Sequence, residues 1–230
     1  MRTIPPRWSP LTEIIDMKDI VIYGAGGMGR EAACLLRLIN KNDPQWNLVG
    51  FLDDNTKLHG SSNEYGTVLG GSEWLEHRSE PIAVVIAVGS AVAVRSIAER
   101  ITNPVVEFPN IIAPSVCFLD KDSLRIGKGN IICHNCLVSC NVRIGDFNLF
   151  NGYIPIGHDV TIGSFNVVMP SCNISGEVQI GDGNFFGVQS VVLQGIKIGN
   201  DTRIGANSVI IRKTKDGNLY LGNPATRMKF

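Results

Sequence analysis

A six-residue period in the second half of the chain restricts its fold more than any other feature. Stepping by six from Ile126 gives Ile126, Ile132, Val138, Ile144, Phe150, Ile156, Ile162, Val168, Ile174, Ile180, Phe186, Val192, Ile198, Ile204 and Ile210. All are large and apolar, without one slip in register. Glycine often follows, as at Gly127, Gly145, Gly163, Gly181 and Gly199. Four places after the apolar residue stands a small or modest one, as at Val142, Val160, Cys172, Ser190, Thr202 and Ser208. A helix repeats every 3.6 residues and a strand every 2, so neither sustains a strict six. Repeats of this length indicate a β-solenoid, with one short strand and one turn per hexad.

The first half reads differently. "DIVIYGAGGMGREAACLLRLI" (19–39) is an apolar run, a glycine-rich turn and an amphipathic helical pattern. "NLVGFLDD" (47–54) is a second strand ending in two aspartates. "PIAVVIAVGS" (81–90) is a third strand running into a turn, followed by helical "AVAVRSIAERI" and a short last strand in "PVVEF". Strands alternating with helices predict a small, Rossmann-like parallel sheet. Gly24-x-Gly26-x-x-Gly29 matches the dinucleotide fingerprint, and Asp53 lies about where a ribose-binding acid belongs. Glycines there also serve simply to make a tight strand-to-helix turn. The sheet has room for one nucleotide rather than two, and no hydride-transfer domain follows, which argues against NAD. Residues 1–16 carry three prolines and no period, so the folded region is expected to open at Met17, after a mobile arm.

Bulk composition excludes several classes. Lys plus Arg equals Asp plus Glu at 21 each, which gives no reason to expect nucleic acid or an anionic membrane as partner. No apolar run approaches the length of a membrane-spanning helix, and the N-terminus lacks a secretory pattern. A cytoplasmic protein is expected. Among six cysteines, "CHNCLVSC" (133–140) invites a zinc reading, but no partner cluster completes it. The period instead puts Cys136 and Cys172 at small core positions, and no metal is expected.

With these residues in view, the chain resembles the hexapeptide-repeat acyltransferases, whose pattern is an aliphatic residue, Gly, two free positions and a small residue. The resemblance covers about residues 110–228, from "RIGKGNIICHN" to "GNPATRM". It implies a left-handed parallel β-helix in which three hexads close one triangular coil, so that residue n stacks on n+18. A small glycine-rich domain (17–108) ahead of a solenoid domain (109–230) narrows the resemblance to bacterial nucleotide-aminosugar N-acetyltransferases and sialic-acid O-acetyltransferases. By this resemblance Gly26, Gly27 and Asp54 bind the nucleotide-sugar. Acetyl-CoA binds between solenoids of a homotrimer, and the Gly176 backbone amide faces its thioester carbonyl. "IGHDVTIG" (156–163) carries the catalytic expectation: His158 as general base and Asp159 as its orienting carboxylate. His158 is third in its hexad and therefore on an outward corner, between Cys140 and Gly176. Val167 stands where many relatives carry a second histidine, and Ser171 where Gly is common.

The residues leave N- and O-acetylation open, as well as a non-catalytic sugar-nucleotide scaffold. A nucleotidyltransferase would need a basic triphosphate loop that "GAGGMGRE" does not supply. A solenoid carbonic anhydrase would need three histidines, whereas only His134 and His158 lie in the solenoid. His134 reads as a turn residue, like His59 and His77 on loops.

Overall fold

The computed structural model describes residues 17–228; the expected arm at 1–16 lies outside them. The first region opens with β1 (Lys18–Tyr23), α1 (Gly27–Asn42) and β2 (Trp46–Leu52). It continues with β3 (Ser62–Asn63), β4 (Gly66–Gly70), α2 (Glu73–Glu76), β5 (Ile82–Ile86), α3 (Ala91–Arg100) and β6 (Val106–Glu107). Its sheet runs β3-β4-β2-β1-β5-β6, parallel except for the β3–β4 pair. That hairpin is absent from the sequence reading, because "SSNEYGTVLG" (61–70) lacks a clear alternation and is rich in glycine and small polar residues. β1 is the central strand, buried at Ile20, Val21 and Ile22. The chain reverses its lateral direction between β1 and β5, which opens a crevice at their carboxyl ends.

The rest is the expected parallel solenoid. Each coil gives one two-residue strand to each of three sheets. One sheet contains 111–112, 131–132, 149–150, 167–168, 185–186 and 203–204; a second contains 117–118, 137–138, 155–156, 173–174, 191–192 and 209–210; a third contains 125–126, 143–144, 161–162, 179–180 and 197–198. Ile144 pairs with Ile126 on one side and Ile162 on the other, and Ile180 with Ile162 and Ile198. Like therefore stacks on like along the axis, and each buried aliphatic contributes about 1.5–3 kcal/mol. The eighteen-residue spacing gives way at both ends. Asn130 bonds to Asn110, twenty residues back, and Asn200 to Asp216, sixteen residues on. A hairpin of 219–222 and 225–227 closes the last coil.

The solenoid core also holds a column of polar side chains that no sequence motif marks. Asn130, Asn148, Asn166 and Asn184, all fully buried, stack eighteen apart at the small position of one corner. Each Oδ1 accepts from the next asparagine's backbone N–H and Nδ2 at 2.9–3.0 Å, and Thr202 N continues the ladder at 2.8 Å. Buried amides are tolerated here because each is satisfied by its neighbours.

The three outward faces differ. The first sheet shows Ile131, Leu149 and Val167 outward, and α1 covers them with Ala32, Leu35, Leu36 and Ile39. The third shows Arg125, Arg143, Thr161, Gln179 and Lys197 and is polar. The second shows Cys117, Leu137, Pro155, Asn173, Val191 and Val209 and is bare and mostly apolar, with exposed Leu119, Leu193 and Ile211 along one edge and exposed Val188 and Tyr153 along the other. No helix among the described residues is long and apolar enough to cross a membrane.

Candidate functional site

The glycine-rich turn joins β1 to α1, and its glycines divide into two kinds. A Cβ at Gly24 would lie 2.7 Å from Ala87 O, and Gly24 has φ +111°, so the turn itself demands glycine. A Cβ at Gly29 would collide with Gly24 O, so close helix–strand packing demands glycine there too. Gly26 and Gly27 are different: a Cβ at either would meet nothing within 4 Å. Their bareness leaves the N-terminus of a 16-residue helix open, and no side chain caps it. Unpartnered N–H groups and the helix dipole make such an end suited to phosphate.

The two aspartates after β2 are occupied differently. Asp53 Oδ2 accepts from Ala25 N and its Oδ1 from Asn55 N, both at 2.9 Å, so it braces the glycine-rich turn. Asp54 accepts from the Tyr23 hydroxyl and from Arg100 Nη2, the latter at 2.8–2.9 Å. Burial opposes ionisation of Asp54, but the Tyr23 and Arg100 bonds outweigh it and hold the carboxyl below the usual aspartate range. Burial and the Asp54 bond push the Tyr23 phenol up to about 12. His59 Nε2 lies 2.8 Å from Asp53 O. Arg100, Tyr23 and His59 thus join this crevice without any sequence motif. Arg100 lies 46 residues from Asp54, at the end of α3, so only the folded sheet brings them together.

His158 stands on the corner between the second and third sheets, with about half of its side chain exposed. Every solenoid corner needs one residue in the left-handed region, and here it is Asp159, at φ +58°. That conformation turns the carboxylate back toward its neighbour: Asp159 Oδ2 is 2.8 Å from His158 Nδ1. Asp159 also accepts from Asn141 Nδ2 at 3.0 Å, one coil away. The His158 bond first, and then the Asn141 bond, hold its carboxyl below the usual range. An ionised carboxylate only accepts, so Nδ1 carries the proton and Nε2 is left with its lone pair.

Gly176 lies one coil further, under the imidazole. A Cβ there would be 2.5 Å from His158 Nε2 and 2.8 Å from Cε1. The ring occupies the space that glycine vacates. Among the described residues no acceptor takes the Gly176 N–H. A groove of about 310 Å³ runs from this corner onto the bare sheet face, past Leu137, Pro155 and Ser175.

The fold brings His158, Asp159 and Gly176 together but separates them from the glycine-rich turn of the same chain. The first region covers the first sheet, and α3 reaches only its far corner, where Arg95 lies 3.8 Å from Asp201 and over the Phe165 ring. The His158 corner is the vertex opposite the covered face. Val167 is buried in the cluster that joins the first region to the first sheet, and Ser171 takes φ +60°, in the left-handed region that favours glycine. Cys136 and Cys172 are core residues, as the period predicts, and burial pushes the Cys136 thiol up to about 11. No group of three or more metal-ligating side chains occurs among the described residues.

Two family models match the chain: the PglD N-terminal domain over residues 19–101, and the bacterial transferase hexapeptide (six repeats) over residues 177–212. No curated protein matches it in sequence. Among solved structures, the acetyltransferase domain of PglB from Neisseria gonorrhoeae FA1090 is 27% identical, with a TM-score of 0.83, 92% of this chain covered and 100% of that one. The same domain is also solved with acetyl coenzyme A. PerB from Caulobacter crescentus, solved with CoA and GDP-perosamine, has a TM-score of 0.82 at 23% identity, covering 92% and 97%. WeeI from Acinetobacter baumannii AYE has a TM-score of 0.82 at 24% identity, covering 92% and 100%. In fold and domain order the chain is similar to the hexapeptide-repeat sugar acetyltransferases, with a PglD-type N-terminal domain ahead of bacterial transferase hexapeptide repeats.

Proposed function

We propose that the protein transfers an acetyl group from acetyl-CoA to the amino group of a nucleotide-linked amino sugar, with His158 as general base. The observation that carries this reading is the His158–Asp159 pair, whose Nε2 is free and overhangs a bare glycine on a transferase-type solenoid. The amine nitrogen attacks the thioester carbonyl carbon and gives its proton to His158 Nε2. As the C–S bond breaks, the imidazolium returns that proton to the leaving thiolate, which departs as free CoA. The nitrogen–acyl bond is then complete, and no acyl-enzyme forms. Asp159 supports the imidazolium, and the free Gly176 N–H is a donor for the developing oxyanion.

Residues 17–108 hold the acceptor in this reading, and 109–230 carry out the transfer. The phosphates sit at the Gly26–Gly27 helix end. Asp53 shapes the turn, and Asp54, with Arg100 beside it, lies at the base end of the crevice. Because the His158 corner faces away from its own glycine-rich turn, the acceptor must come from another copy. A homotrimer turning the bare apolar sheet face inward supplies that copy and covers the face. Consumption of acetyl-CoA fits a cytoplasmic enzyme.

His158→Ala is expected to cut turnover by ~10²–10⁴ with little change in affinity for either substrate. The readout is free thiol release with dTDP-, UDP- and GDP-linked amino sugars. A variant keeping more than about a third of wild-type turnover would place the base elsewhere. Release of thiol with no amide in the product would convert the reading to O-acetylation.

A further inference from the structure

The corner that carries His158 is marked by a column of residues, Ser123, Asn141, Asp159, Glu177 and Gly195, each eighteen after the last. Asn141, Asp159 and Glu177 take the left-handed conformation, at φ +57°, +58° and +61°. The coil does not need their side chains. Asp159 N–H donates to Cys140 O and Glu177 N–H to His158 O, and Asn141 N–H donates to Ser123 Oγ at 2.8 Å. Yet Asn141 Nδ2 also donates to Asp159 Oδ1 at 3.0 Å, the oxygen that His158 leaves free. Asn135 and Asn207 hold other corners in the same conformation, and among the described residues neither side-chain amide is hydrogen-bonded. The Asn141–Asp159 bond is therefore not what an asparagine corner makes by default.

Asp159 is half exposed, as is His158. The terminal torsion of an aspartate is broad, so one bond to a half-exposed imidazole leaves the carboxylate free to turn. Two bonds, one to each oxygen, fix its plane. An ionised carboxylate only accepts, so the amide turns Nδ2 toward it. The neutrality of this donor matters as well. A lysine or arginine would also fix the carboxylate, but its charge would oppose the imidazolium that forms during transfer. Among the described residues no lysine or arginine pairs with Asp159. Arg143, on the third sheet one coil back, is exposed. Glu177, one coil on, accepts from Gln194 Nε2 at 2.8 Å, and Cys140 stands one coil back from His158.

We propose that Asn141 is a positioning residue for the transfer: it locks the Asp159 carboxylate so that Oδ2 holds His158 Nδ1 and Nε2 stays aimed at the acceptor amine. It acts through Asp159 rather than on a substrate. A base held by one bonded neighbour is thereby braced from a second coil, the kind of support that keeps a reacting group within tight limits of angle and distance. This rests on the acetyltransferase reading and adds to it a residue outside the "IGHDVTIG" stretch.

Asn141→Gly keeps the left-handed turn and removes the donor. Thiol release from acetyl-CoA, measured with dTDP-, UDP- and GDP-linked amino sugars, should lose about three- to tenfold in kcat, the scale of one half-exposed hydrogen bond. Both KM values and the melting temperature should stay unchanged. The same substitution in an Asp159→Gly background should cost nothing further, because its one target is already gone. Asn141→Asp sets a second carboxylate near the imidazolium, so the ascending limb of the pH–rate profile should move about half a unit to higher pH, and less in high salt. Full kcat in Asn141→Gly, alongside an inactive His158→Ala, overturns this inference alone. A loss that persists in the Asp159→Gly background also overturns it, since the effect then comes from the coil. An unmoved limb in Asn141→Asp does the same, and that variant decides the matter if the glycine variant fails to fold. An active His158→Ala overturns the acetyltransferase reading itself.

Discussion

The glycine-rich turn and the His158 corner both leave open space beside a backbone turn, and they do so by opposite means. In the turn, glycine does everything: Gly24 and Gly29 make the backbone fit, and Gly26 and Gly27 keep the approach open. At the solenoid corner the left-handed position is taken by Asp159, a residue with a side chain, as it is by Asn141, Glu177 and Gln189 at other corners. The stacked coils fix that conformation, so the corner is free to vary in chemistry. One region leaves backbone amides open at a helix end. The other presents a paired side chain with a free ring nitrogen.

Gly176→Ala should give the largest effect. If glycine there serves only to seat the imidazole, its Cβ displaces the ring tip, a movable side-chain end, without disturbing the coil. Turnover should fall by ~10²–10³, close to the loss in His158→Ala, while the melting temperature stays within a few degrees. Full turnover would mean that the ring's present position is not the working one.

The glycine-rich turn should split under a matched pair. Gly29→Ala forces a Cβ into Gly24 O and should destabilise by ~3–4 kcal/mol, read by denaturant unfolding. Gly26→Ala, at φ −77° with nothing near its Cβ, should leave stability unchanged and weaken sugar-nucleotide binding. Equal destabilisation in both would remove the distinction between packing and approach glycines.

Within the solenoid, Asn148→Ala should cost ~2–4 kcal/mol, since it orphans Asn166 N and the Gly163 carbonyl, while His158→Ala should cost almost nothing. Similar melting temperatures for the two would show the ladder to be dispensable.

The smallest effect belongs to Asp54. Its folded pKa is depressed, so its bonds to Tyr23 and Arg100 stabilise above the unfolded value of about 3.9 and that stability is lost as pH falls through the folded value. With the carboxylate about half exposed, the gain is under ~1 kcal/mol. Asp54→Asn should flatten this acid dependence below about pH 4 and leave stability at pH 7 only slightly lower. A steep acid limb surviving in the variant would assign it to other carboxylates.

Period and spacing alone determined much of this protein. A strict six with aliphatic knobs leaves only a parallel solenoid, and counting within the hexad puts His158 on an outward corner and Cys136 and Cys172 inside. Those statements hold because a repeat fold ties direction to position, independently of distant contacts. The Tyr23–Asp54–Arg100 cluster, the covering of the first solenoid sheet and the bareness of the second were decided only by tertiary structure. They join residues far apart in sequence or depend on which sheet face another element covers, and no local pattern encodes either.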